Sequence, residues 1–203
     1  MVSRQNANTD NKRLYEKLSN FSSSKKPLWV AFLWGLLEGT FFFIVPDFFT
    51  GFVGLFNRKK ALLSCLSAVL GSLVGGIIMF GLALVNGMRI NAILEKIPGI
   101  SSSMIASASS QLHSNGLVSL VGAPLQGIPY KVYAVQAALH GIGLSGFLLW
   151  SIPARFERIL PATLLAMAAG YLFRKSVKKR TALWTAAYGS VWIVIYLFYF
   201  MKV

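Results

Sequence analysis

Acidic side chains are scarce. Six Asp and Glu stand against twenty Lys and Arg in 203 residues. Charged residues of both signs make up 13% of the chain, where a soluble domain carries roughly a quarter. A single cysteine, Cys65, excludes an intramolecular disulfide, and with two histidines there is no Cys/His spacing for a metal. A Gly-rich nucleotide loop is missing, as is a paired-acid phosphotransferase motif. Ser145 sits between glycines in Gly143-Leu144-Ser145-Gly146, but a serine nucleophile needs a base within reach. His140 lies five residues before it, and the last apolar segment has no histidine. The chain is therefore expected not to be an enzyme, with no catalytic residue, no cofactor and no metal.

What is abundant is apolar surface: 55% of the residues, with a mean hydropathy of +0.61. Ala61–Val85 contains no charge, and about 20 such residues span a hydrocarbon core of about 30 Å. These features predict an all-α integral membrane protein. The net charge of +14 raises the question of nucleic acid, but the basic residues flank apolar runs, as positive-inside bias places them. The expected partners are thus membrane lipids, including anionic headgroups, and not nucleic acid. Residues 1–27 read as a polar, basic cytoplasmic arm without a signal-peptide cleavage site. Leu14, Leu18 and Phe21 could give it one helical stripe.

Apolar segments follow at 28–56, 61–86, 116–139, 141–173 and 182–201. Pro46 interrupts the first, and Pro124 and Pro129 interrupt the third, because proline removes a donor and clashes with the preceding turn. Charge counting decides how the interrupted segments run. Six basic residues precede residue 28, and Arg58, Lys59 and Lys60 follow residue 56. If 28–56 is a re-entrant hairpin, both clusters lie inside. A second hairpin over 116–139 then leaves 87–115 external. Arg174, Lys175, Lys178, Lys179 and Arg180 fall inside, so fourteen basic residues are inside and three (Arg89, Lys96 and Lys202) outside. The predicted fold is two inverted repeats, each a re-entrant hairpin plus a transmembrane helix (61–86 and 141–173), within a membrane domain over 28–175. A basic linker and a C-terminal transmembrane helix occupy 176–203. Inverted repeats with broken helices place a transport site where the breaks meet.

Charged residues inside apolar segments are expensive and usually functional or paired. Glu38 and Asp47 share the first hairpin, and a carboxylate there can bind and release a proton. The bland alternative is an ion pair with a basic residue of the other hairpin. Lys131 follows the second break, and Arg155 and Arg158 flank Glu157 between Pro153 and Pro161. Guanidinium matches phosphate bidentately, and lysine binds it as a point charge. Alternatively, Glu157 neutralises one arginine while the other snorkels to an interface. Gly71, Gly75 and Gly76 form a small-residue face for close helix packing, expected against a hairpin.

The order of Glu38, Pro46-Asp47, Gly71-Ser72-Leu73-Val74-Gly75-Gly76, Pro129-Tyr130-Lys131 and Ala154-Arg155-Phe156 with Arg158 resembles the DedA (SNARE-associated, or VTT-domain) membrane proteins, nearest the small YqaA-like branch. The resemblance covers about residues 28–175. It implies two facing re-entrant hairpins and movement of polyprenyl phosphates or phospholipids across a cell membrane, proton-coupled in some members. Glu38 and Asp47 would then be the proton-coupling acids, and Lys131, Arg155 and Arg158 would bind the lipid phosphate. The chain departs from the family pattern in lacking a glycine-arginine pair before the second hairpin and in having lysine at 131. The alternatives are a small-solute or ion transporter and a non-transporting membrane organiser.

Overall fold

The computed structural model describes residues 2–202, and the side chains of all but 2–8, 124, 125 and 202. Helix α1 (Val2–Ser23) presents Asn11, Leu14, Tyr15, Leu18 and Ser22 inward, the spacing of one helical face. Pro27 lies in the first turn of α2 (Lys26–Thr40), where its missing N–H costs nothing. The chain is irregular over 41–46. Pro46, with φ of −69°, then caps α3 (Asp47–Phe56). The break thus opens at Phe41, five residues before Pro46, so the proline starts the second helix and does not end the first.

Asn57 joins the two ends of this segment. Its side chain accepts from Lys60 N at 3.1 Å, capping α4 (Arg58–Leu94), and its Nδ2 donates to Ser23 Oγ at 3.0 Å. The segment 28–56 therefore folds back on itself as a helical hairpin.

Helix α4 turns sharply at Asn86 (φ −156°, ψ 78°). Met88, at this tip, is 88% exposed. Beyond the tip the chain packs back along α6 (Tyr130–Leu139): Gln136 Nε2 donates to Asn91 Oδ1 at 2.9 Å. Ile90, Leu94, Ile97, Ile100, Ala108 and Leu112 join the core there. The segment 87–115, expected as an external connection, thus contributes core residues and contains α5 (Ser102–Asn115). Its few apolar residues recur at helical spacing, which the charges of Arg89 and Lys96 mask in the sequence.

The segment 116–139 differs from the first hairpin. Its first half is two 3₁₀ turns, Gly116–Leu120 and Ala123–Gln126, the second holding Pro124, and only its second half is α-helical, as α6. Gly122 and Gly127 take positive φ (87° and 77°), a conformation cheap only for glycine. Helix α7 (Leu144–Leu172) runs unbroken through Pro153 and Pro161. Helix α8 (Arg174–Lys179) and helix α9 (Thr181–Lys202) complete the chain.

Each short helix rests on the long helix of the other half. On α3, Thr50 Oγ1 lies 2.7 Å from Thr163 Oγ1 of α7; on α6, the ring of Tyr130 covers Gly76 of α4. Helices α2 and α4 meet through glycine. A Cβ at Gly75 would lie 2.7 Å from Leu36 O, and one at Gly39 would lie 2.9 Å from Ser72 O. Gly71 faces the Phe32 carbonyl in the same way.

Among the described residues there is no strand, and two helices, Arg58–Leu94 and Thr181–Met201, are long and apolar enough to cross a membrane. Helix α7 is comparably long but carries Arg155, Glu157 and Arg158 near its centre. Large apolar side chains stay exposed on α2, α4, α7 and α9, Trp29, Leu66, Leu165 and Phe198 among them.

The basic clusters collect at one end. Arg58 stacks on Tyr171 at 4.3 Å, Lys178 Nζ lies 5.9 Å from the ring of Tyr15, and Ala182 N donates to Asn11 Oδ1 at 3.1 Å. The arm, 58–60 and 174–180 therefore share one face of the molecule.

Candidate functional site

The two interruptions meet between α7 and α9 around a cavity of about 200 Å³. Lys131, Arg155 and Arg158 all line it, with Glu38. The sequence places these four residues in three separate segments, and the fold brings them to one wall.

Glu38 and Arg155 form a buried ion pair between Oε2 and Nη2, with both side chains 5% exposed. Arg155 Nε also donates to Ser72 Oγ at 3.0 Å, and its guanidinium lies 5.0 Å from the centroid of the Tyr130 ring. A buried guanidinium keeps its charge only when its donors are used in this way. Arg158 Nε approaches Asp47 Oδ2 at 3.4 Å; Asp47 is buried, while the arginine side chain is 35% exposed. The other Asp47 oxygen, Oδ1, is buried and has no hydrogen-bond partner among the described residues. Both acids of the first hairpin thus pair with arginines of α7 and not with the second hairpin. Glu157, the neighbour that the sequence offers as neutraliser, accepts instead from Gly122 N at 3.1 Å. It ties the second interruption to α7.

Lys131 stands apart. It is 2% exposed, and its Nζ donates to Phe42 O, in the first interruption, at 2.8 Å. Among the described residues no carboxylate lies within ion-pair distance of it. Helices α3 and α6 both begin beside the cavity, so their positive dipole ends add to the same potential.

Helix α9 closes the cavity with Trp192, Ile195, Tyr196 and Tyr199. Tyr196 Oη accepts from Val45 N at 2.7 Å, and Tyr199 Oη donates to Gly99 O at 2.7 Å. Tyr188 Oη donates to Phe48 O at 2.8 Å. These contacts fall outside the 28–175 region read as the membrane domain. The signal for them is nevertheless in the sequence: Tyr188, Trp192, Tyr196 and Tyr199 share one helical face. Ser72, Tyr130 and the Phe42 carbonyl have no such signal, since a polar contact across helices leaves no local pattern.

Gly71 and Gly75 serve the α2 contact, and Gly76 makes room for the Tyr130 ring that lines the cavity. Pro46 and Pro129 cap α3 and α6, holding the helix starts at the cavity. Compared with known proteins, the chain matches no family model, no curated protein and no solved structure.

Proposed function

We propose that this chain is a DedA-like lipid translocase of a cell membrane, moving a phosphate-bearing lipid, a polyprenyl phosphate or a phospholipid. In this reading 28–56 and 116–139 are re-entrant hairpins entering from opposite faces, and α4, α7 and α9 span the bilayer. The shared basic end lies in the cytoplasm, as positive-inside bias requires. Apolar side chains exposed on four helices support contact with lipid tails.

The observation that carries the proposal is Lys131. Among the described residues the buried Lys131 Nζ is held by a carbonyl with no carboxylate in ion-pair contact. Glu38, the one acid lining the same cavity, is already paired with Arg155, so the desolvation of Lys131 is incompletely offset. The cavity beside it is lined by two guanidinium groups. A phosphate supplies the missing charge and matches the arginine forks. About 200 Å³ holds a headgroup and leaves the hydrocarbon chains outside, below the usual range for whole ligands. Glu38 and Asp47 occupy the arginines when no phosphate is present. Proton uptake by either acid releases its arginine to the headgroup, which couples lipid movement to protons.

The test is reconstitution into liposomes with fluorescent lipids carrying phosphomonoester, phosphodiester or neutral headgroups, with and without a pH gradient. Flipping of phosphate-bearing lipids, reduced at least about tenfold in Lys131→Met, is expected. A second reading rests on the closed Glu38–Arg155 and Asp47–Arg158 pairs, which also suit a fold-locking role in a membrane organiser. Absence of flipping and of solute uptake for every probe favours that reading. Solute uptake without flipping favours a small-solute transporter.

A further inference from the structure

The basic end contains a second cavity, of about 320 Å³; along α7 its Gly170 lies about 18 Å from Arg158, which lines the first. Its floor is tightly built: a Cβ at Gly170 would lie 2.6 Å from Leu55 O. Tyr15 and Ser19 of α1 form one side of it. Arg58, Lys59 and Arg174 stand around it, and no acidic residue lines it. Arg58 and Lys59 begin α4, whereas Arg174 follows α7, so the fold gathers like charges from distant parts of the chain. Arg58 lies over the ring of Tyr171, 4.3 Å from its centroid, a contact that restrains the guanidinium beside the cavity. Among the described residues none of the three cations has a carboxylate within ion-pair distance.

Three like charges gathered around one concavity, with no acid in its lining, raise the local potential and attract an anion. The donors are two guanidinium groups and an ammonium. That set fits a tetrahedral oxyanion better than a flat carboxylate. We infer that this cavity binds a phosphate group, as the headgroup of an anionic lipid or as a free phosphate, at a site separate from the central one. The inference does not depend on lipid translocation.

The full chain in neutral detergent is titrated calorimetrically with dihexanoyl phosphatidic acid, dihexanoyl phosphatidylcholine and inorganic phosphate. Saturable binding of phosphatidic acid, weakened about tenfold or more by Lys59→Gln with Arg174→Gln and retained in Lys131→Met, is expected. Inorganic phosphate binding with the same dependence assigns the site to free phosphate, and binding of phosphatidic acid without it assigns the site to lipid. The two substituted residues are exposed, so unchanged thermal unfolding of the double variant is the folding control. Absence of binding by both phosphate ligands, binding unchanged in the double variant, or loss only in Lys131→Met overturns the inference.

Discussion

Glu38 and Arg155 are the pair whose separation costs most. Both are buried, so removing one partner leaves an uncompensated charge, a loss of about 3–5 kcal/mol. Glu38→Gln should therefore lower the unfolding temperature clearly, and Glu38→Gln with Arg155→Gln should recover much of it, read by thermal unfolding in detergent. Asp47→Asn should cost less, because its partner Arg158 is 35% exposed and already partly solvated. A different outcome follows for Glu157. It holds Gly122 N and not an arginine, so Glu157→Gln with Arg158→Gln should fail to restore transport to an Arg158→Gln variant in the liposome assay. Restoration would return Glu157 to the role of neutraliser.

Helix α9 acts through tyrosine hydroxyls on elements that the sequence does not place near it. Tyr196→Phe strands Val45 N, which accounts for about 1–3 kcal/mol when such a group is buried. The effect should be local: hydrogen exchange should quicken at residues 41–46 while α4 stays protected. Uniform quickening across the chain would show that α9 supports the whole fold and not the first interruption. The α2/α4 contact makes a steric forecast. A leucine at Gly75 would meet the Leu36 carbonyl and Gly39, and overpacking of this kind costs about 1–3 kcal/mol or more. Gly75→Leu should lower the unfolding temperature, whereas Gly81→Ala, in open space within α4, should leave it unchanged or raise it slightly.

For the molecule as a whole, the arrangement of ends can be tested by labelling. Cysteines at Lys59 and Lys175, in a Cys65→Ala background, should react from the same side of a sealed vesicle, and one at Met88 from the other. Met88 is the better reporter of the far face because it sits exposed at the α4 tip. Reaction of Lys59 and Met88 positions from one side would remove the spanning role of α4 and, with it, the inverted repeat.

The helices and their apolar character follow from the sequence alone, since hydropathy and proline position are local properties. Interruptions near Pro46 and Pro129 were legible for that reason, but not that the first opens at Phe41 or that both prolines start helices. The grouping of Lys131, Arg155 and Arg158 as candidates was legible too, because a charge in an apolar run is conspicuous wherever it ends up. Which charge meets which was not legible. Neighbours in sequence, Glu157 and Arg158, do not pair, while Glu38 and Arg155, 117 residues apart, do. Helical geometry turns adjacent residues about 100° apart, so a partner on another helix faces Arg155 and an adjacent residue does not. The serine-rich α5 and the core residues around it were hidden because their burial comes from packing against α6 and not from a long apolar run. The tertiary structure alone decided that Lys131 would be buried with no carboxylate in ion-pair contact among the described residues, since ion pairing depends on distance through space.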